Sequence, residues 1–104
     1  MKPTPACAYR RLNHLLWEGR LPAAHVTFID DTVMPDNFGI TLWDEDFHLP
    51  IIFINASRKR WLKVLIHEMT HVAEPSLPHG KTFEALVAFY LREAKNAKKG
   101  YRTI

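Results

Sequence analysis

Hydrophobic residues recur every three to four positions in three parts of the chain, a spacing that predicts three helices. We expect them over residues 6–18, about 58–74 and about 81–97, with Gly19 ending the first. The second helix is apolar over so broad a surface that we expect it in the core. Its apolar residues are Trp61, Leu62, Leu65, Ile66, Met69 and Val72.

Three short apolar segments between the first two helices predict strands. We expect them over residues 25–29, 39–43 and 49–54, where isoleucine, valine and threonine are frequent. Pro50 lacks a backbone N–H, so the third segment is either an edge strand or has Pro50 at its start. The order α-β-β-β-α-α predicts an α+β fold.

Polar residues and prolines mark the ends of the second helix. Asn55 or Ser57 is placed to cap its start through a side-chain oxygen. Pro75 disfavours helical geometry in the residue before it and so predicts the end of the helix.

The size and composition of the chain fit one domain spanning residues 1–104. With 104 residues, 47% of them hydrophobic, the chain can build a single modest core. No apolar run is long enough to cross a bilayer, and no secretory signal follows the N-terminus. Cys7 is the sole cysteine, which excludes disulfide framing and cysteine-rich zinc sites within the chain. We therefore expect a cytoplasmic protein.

Charge is unevenly distributed along a chain whose net charge is +3. The middle is acidic, with Asp30, Asp31, Asp36, Asp44, Glu45 and Asp46. Basic residues gather at the second helix start and near the C-terminus: Arg58, Lys59, Arg60, Lys63, Lys95, Lys98, Lys99 and Arg102. Basic stretches can steer a protein toward nucleic acid, but a solvated helix surface is the simpler interpretation.

The second predicted helix carries the pattern H-E-x-x-H at residues 67–71. His67 and His71 are four residues apart, which puts both imidazoles on one helical face, where they can bind one Zn²⁺. Glu68 can then act as the general base on a zinc-activated water. The pattern therefore indicates a zinc hydrolase, with peptidases as the foremost class.

A hydrolytic zinc site usually has three protein ligands, so a third is expected elsewhere. His79 is the best candidate, because it lies eight residues after His71, beyond a proline-bounded turn. Glu84 and Glu74 are the alternatives. Glu74 is better interpreted as a surface carboxylate, and Glu84 as a residue that supports the ligands or lies at the surface. The remaining histidines have no ligand spacing: His14, His25 and His48.

Three separated segments resemble the SprT-like family of zinc metallopeptidases. Residues 12–22 read L-N-H-L-L-W-E-G-R-L-P, similar to the family's opening helix and its G-x-L-P turn. Residues 67–71 resemble its H-E-M-x-H helix, and residues 79–83 resemble its H-G-x-x-F element. The three segments occur in the family's order and extend over most of the chain.

The resemblance implies a zincin-like minimal core with an N-terminal helix, a small three-stranded sheet, the H-E-x-x-H helix and a closing helix. It implies a zinc metallopeptidase with His79 as third ligand and a protein or peptide as substrate. We expect that substrate to extend the sheet at residues 49–54. The connector before His79 is shorter than in many relatives, and the C-terminal zinc ribbon of some relatives is absent. Targeting to DNA-bound substrates is therefore not expected.

Two other functions remain alternatives. A non-catalytic, metallopeptidase-like binding or adaptor domain, associated with nucleic acid, would explain the basic stretches, but it gives no reason to retain Glu68. A purely structural zinc site would suit a small domain, although such sites usually have four protein ligands.

Overall fold

The computed structural model describes residues 4–46 and 48–103, with side chains described as far as residue 97. The side chains of Lys98, Lys99 and Arg102 therefore lie outside the described part. The elements, in chain order, are α1 (Pro5–Trp17), β1 (His25–Ile29), β2 (Gly39–Asp44), β3 (Leu49–Asn55), α2 (Trp61–Ala73) and α3 (Lys81–Thr103). This order confirms the α+β prediction. Among the described residues, no helix combines the length and apolar character that a membrane crossing requires.

The three strands form one mixed sheet in the order β1-β3-β2. β3 pairs with β1 in parallel and with β2 antiparallel, so it is the central strand. The prediction that residues 49–54 form an edge available to substrate is therefore wrong. Pro50 lies near the start of this central strand, which was the second expectation for that residue.

Both α1 and α2 pack against the sheet, α1 on β1 and α2 on β2 and β3. The core between α2 and the sheet contains side chains with 0% exposure, namely Ile52, Ile54, Leu65 and Met69. The prediction that the second helix is a core element is confirmed. Its histidines are consequently carried by a packed helix rather than by a loop.

The turn after α1 is held by side chains of that helix. Glu18 and Gly19 both adopt positive φ angles, 56° and 77°, which ends the helix where the glycine predicted. The Asn13 side chain both donates to and accepts from the backbone of Leu21, at 3.1 and 3.0 Å. The Tyr9 hydroxyl donates to the Pro22 carbonyl at 2.6 Å. The chain is thus fixed as it enters β1.

The start of α2 differs from prediction. Arg60 occupies the N-cap with φ 64° and no capping side-chain hydrogen bond, so neither Asn55 nor Ser57 is the cap. Asn55 is instead buried and donates to backbone carbonyls of Met34 and Asn37, at 3.0 and 3.1 Å. Its side chain therefore binds the β1–β2 loop, a contact distant in sequence that outweighs local capping.

Candidate metal centre

Three histidine side chains converge where α2 meets the start of α3. His67 and His71 lie one turn apart on α2, and His79 lies just before α3. One ring nitrogen from each histidine lies within 4.8 Å of the other two. The Nε2 atoms of His71 and His79 are 2.8 Å apart, and the ring centroids of His67 and His71 are 5.0 Å apart. These residues lie close enough together to hold one metal ion.

The connector between α2 and α3 brings His79 back toward α2. The Glu74 N–H donates to the Thr70 carbonyl at 2.9 Å, and the Leu77 N–H donates to the Glu74 carbonyl at 3.1 Å. Two prolines restrict the same segment. The short connector is therefore long enough to reverse the chain direction, which His79 needs in order to lie beside His67 and His71.

The other predicted candidates lie outside the cluster. Within the described part of the chain, the group able to hold a metal consists of the three histidines, without Glu74 or Glu84. Glu84 is exposed and acts on the site only through its charge, which opposes the lowering of the His67 pKa. The remaining described histidines are exposed residues elsewhere on the chain: His14, His25 and His48.

Phe83 packs against the rings of the three histidines as an apolar surface. Its ring is 0% exposed and lies 4.9 Å from the His67 ring, 4.3 Å from the His71 ring and 5.2 Å from the His79 ring, centroid to centroid. The contact with His71 is stacked, with 25° between the ring planes. One buried aromatic ring on α3 thus packs against each imidazole and restricts its orientation.

Glu68 is a buried carboxylate beside the histidines. Only 5% of the residue is exposed, and its Oε2 lies 3.9 Å from Nε2 of His67. The Thr41 hydroxyl on β2 donates to Glu68 Oε1 at 2.7 Å. This hydrogen bond fixes the carboxylate between the helix and the neighbouring strand.

Burial controls protonation across the site. Loss of hydration raises the pKa of Glu68, although the Thr41 hydrogen bond and the charge of His79 oppose the rise. Burial also lowers the pKa of His67, assisted by the charge of His79. The pKa of His71 falls to about 4, first through burial and then through the charges of His67 and His79. His67 and His71 are therefore neutral near pH 7, as metal ligation requires.

Gly39 lets β2 approach α2 closely at Glu68. A Cβ at this position would lie 2.7 Å from Cγ1 of Val64, and 3.2 Å from both Cγ of Glu68 and the Phe53 carbonyl oxygen. These distances leave no room for a side chain. Gly39 is therefore required where the strand and the helix meet.

Gly80, next to His79, differs from Gly39. A Cβ added to it would meet no atom within 4 Å. No close contact requires glycine in this H-G-x-x-F segment.

Two open cavities flank Glu68. One, of about 490 Å³, lies along β2 and reaches all three histidines, with Thr41 and Trp43 in its wall. The other, of about 420 Å³, lies toward the start of α2 and meets the first only at Gly39, His67 and Glu68. Glu68 therefore lines both cavities despite its burial.

Thr41 and Gly39 are the site residues that sequence reasoning missed. Strand alternation puts both on one face of β2, but nothing local shows that this face meets α2 at Glu68. That information lies in the pairing of Gly39 with Ile54 and of Thr41 with Ile52, which turns this face toward the core.

The donor set fits a zinc ion. Three imidazoles are a ligand combination that zinc favours, and His71 and His79 already present facing Nε2 atoms 2.8 Å apart. Two facing imidazole nitrogens can share either a proton or a metal cation. A third ring nitrogen lies within 4.8 Å, and a cation, unlike a proton, can bind all three nitrogens.

No family model, no curated protein and no solved structure matches this chain.

Proposed function

We propose that this chain is a zinc-dependent metallopeptidase, with His67, His71 and His79 as zinc ligands and Glu68 as general base. One observation carries the proposal: three converging imidazoles lie beside a single buried carboxylate, 3.9 Å from the nearest ring nitrogen. Bound there, Zn²⁺ would supply a Lewis acid that lowers the pKa of a water molecule and polarises a carbonyl group.

Glu68 takes the proton from the attacking water and passes it to the leaving amine. Its raised pKa brings it closer to the range in which one carboxyl group can both accept and donate a proton near neutrality. Thr41 is a positioning residue, because its hydroxyl donates to the Glu68 carboxylate and acts on the reaction through it.

The substrate binds along β2 rather than β3. β2 pairs with β3 on one side only, and within the described residues its other edge has no partner strand. The cavity along β2 reaches the histidines and Glu68, so an extended peptide added to this edge passes the site. Trp43, which is 46% exposed, offers that peptide an apolar contact.

The proposal extends to a zincin-like, SprT-like core. Its support is that each of the three family-like segments has a structural role, and that two of them build the histidine cluster. The first ends in the turn held by Asn13 and Tyr9. The second supplies His67, Glu68 and His71 on α2, and the third supplies His79 with Phe83 beneath it.

The test measures the zinc content of each variant and its hydrolysis of a denatured protein substrate. We expect Glu68→Gln to retain one zinc per chain and to lose hydrolysis by about 10²- to 10⁴-fold, since it removes the general base. His71→Ala should lose the metal and the activity together. Glu93→Gln, the same chemical change at an exposed position on α3, is the matched control and should match the parent. Parent-like hydrolysis by Glu68→Gln would contradict the assignment.

A further inference from the structure

The cavity of about 420 Å³ beside Glu68 has a basic wall that the proposed hydrolytic step does not use. Its polar wall contains Lys59, Arg60 and Lys63, and its apolar wall contains Phe38, Val64 and Val87. His67 and Glu68 also line it. A pocket that opens on the reacting groups is placed to receive a substrate side chain.

The basic residues are aligned with the site by the helix itself. Lys63 and His67 lie four residues apart on one face of α2, and Arg60, at the N-cap of the helix, precedes Lys63 by three residues. Within α2, Lys63 lies one turn before His67, which is about 6 Å along the axis. In an extended peptide this distance corresponds to about two residues.

These cations have no carboxylate partner within the described part of the chain. The ion pairs there join Arg58 to Asp31, at 3.3 Å, and His67 to Glu68. Lys59, Arg60 and Lys63 are therefore available to an external anion. Unlike these three, Arg58 is already engaged with the β1–β2 loop.

Resting on the proposed peptidase function, we propose that this pocket is a specificity subsite for an acidic side chain of the peptide substrate, within three residues of the scissile bond. A glutamate or aspartate would place its methylene groups against Val64 and Val87 and its carboxylate among the lysines and Arg60.

Two observations favour a carboxylate side chain over nucleic acid. One wall of the pocket is apolar and suits the methylene groups of a side chain, whereas single-stranded nucleic acid needs a groove that follows its backbone. Phe38, the exposed aromatic residue in the wall, has the Arg58 guanidinium 5.3 Å from its ring centroid. That face of the ring is therefore not open for stacking with a base.

A cleavage test uses the zinc-loaded protein and a library of decapeptides that carry one acidic residue each, with products identified by mass spectrometry. We expect cleavage to concentrate where the acidic residue occupies one fixed position near the scissile bond. Lys63→Glu should reduce that preference by about tenfold or more. Lys95→Glu, the same charge change on an exposed part of α3, should leave it unchanged. Cleavage without acidic preference overturns the subsite and leaves the peptidase proposal intact.

A binding test is independent of turnover. Its probes are two labelled nonapeptides that differ only in a central Glu or Gln, titrated into the Glu68→Gln variant. We expect the Glu peptide to bind about tenfold more tightly, and a second substitution, Lys63→Gln, to remove the difference. If the Glu peptide binds more tightly but the parent protein cleaves no peptide, the peptidase proposal is contradicted and a binding site for acidic side chains is supported. Equal binding of the two peptides would overturn the proposed site. Binding of an oligonucleotide through Lys63, in place of the peptides, would also overturn it.

Discussion

At Glu68, burial and a hydrogen bond act on one carboxylate in opposite directions. Burial raises its pKa, and the Thr41 hydroxyl, 2.7 Å from Oε1, favours the ionised form. The hydrogen bond also determines where the oxygens point relative to His67. Burial and orientation together suit a carboxylate that exchanges protons with substrate.

Replacing Thr41 with valine tests this positioning role. The variant keeps the side-chain shape but loses the hydroxyl, so we expect kcat to fall about tenfold, the equivalent of one hydrogen bond to a charged group. Zinc content should not change, because Thr41 is outside the histidine cluster. Thr41→Ser retains the hydroxyl and should recover most of kcat, measured at saturating peptide. A loss of zinc in Thr41→Val would show a structural rather than a positioning role.

For individual residues, the sequence predicted the site positions that depend on the geometry of a single helix. The spacing of His67 and His71 is enough to place both imidazoles on one face, and Glu68 follows from the same pattern. His79 required a chain reversal, which the prolines of the connector indicated. Thr41 could not be found, because its contact with Glu68 joins residues 27 positions apart through strand pairing and helix packing.

Among the elements, β2 and α2 approach each other closely at Gly39. Gly39 lies where the strand passes Val64 and Glu68, and α2 packs on both β2 and β3. This contact sets the distance between the proposed substrate edge and Glu68. Any side chain at Gly39 would push these two elements apart.

We therefore expect Gly39→Ala to destabilise the protein by about 1–3 kcal/mol, the usual cost of overpacking. The new Cβ would lie 2.7 Å from Cγ1 of Val64, so strand or helix must shift. Gly80→Ala is the matched control, because its Cβ meets nothing within 4 Å. Urea unfolding of the three proteins measures the difference. Equal stability of Gly39→Ala and the parent would contradict the close contact.

The packing of α1 against the turn before β1 predicts a pH dependence at high pH. Burial raises the pKa of Tyr9 from its ordinary value of 10.0 to about 12. The folded state therefore holds this proton more tightly than the unfolded state, so the stabilisation is present below about pH 10 and is lost toward pH 12.

Tyr9→Phe is the comparison for this effect. Below pH 9 it should be less stable than the parent by about 1 kcal/mol, since it lacks the hydrogen bond to Pro22. The difference in unfolding free energy should narrow as pH rises from 10 to 12. A difference that stays constant over this range would show that Tyr9 does not titrate as described.

The positions of helices and strands could be predicted where they depend on a local sequence pattern. The pairing of the strands could not be predicted. The three strands were found from their composition, and β1 begins and ends where predicted. The central place of β3 was missed, since Pro50 suggested an edge and only the neighbouring strands show otherwise. The start of α2 was placed early because Asn55, the apparent cap, binds the β1–β2 loop instead.

Across the whole molecule, the proposed zinc site joins two parts of the chain. His67 and His71 belong to α2, whereas His79 precedes α3 and follows the connector. A metal held by all three would therefore restrain the position of α3 against α2, in addition to the packing of Phe83.

Zinc should accordingly stabilise the folded state. At free zinc 100 times Kd, linkage gives about 2.7 kcal/mol, or a rise in Tm of about 10 °C or more for a domain of this size. Thermal unfolding with zinc and after EDTA treatment measures the shift. His79→Ala should lose most of it, whereas His14→Ala, an exposed histidine outside the cluster, should keep it. A full shift in His79→Ala would remove His79 from the ligand set.

The most direct measurement is a crystal structure of the zinc-loaded protein with anomalous data at the zinc edge. We predict one zinc within about 2.0–2.1 Å of ring nitrogens of His67, His71 and His79. Its fourth position should face the Glu68 carboxylate and hold no protein ligand. A fourth ligand from the chain, such as Glu84, or a zinc bound away from these histidines, would contradict a hydrolytic centre.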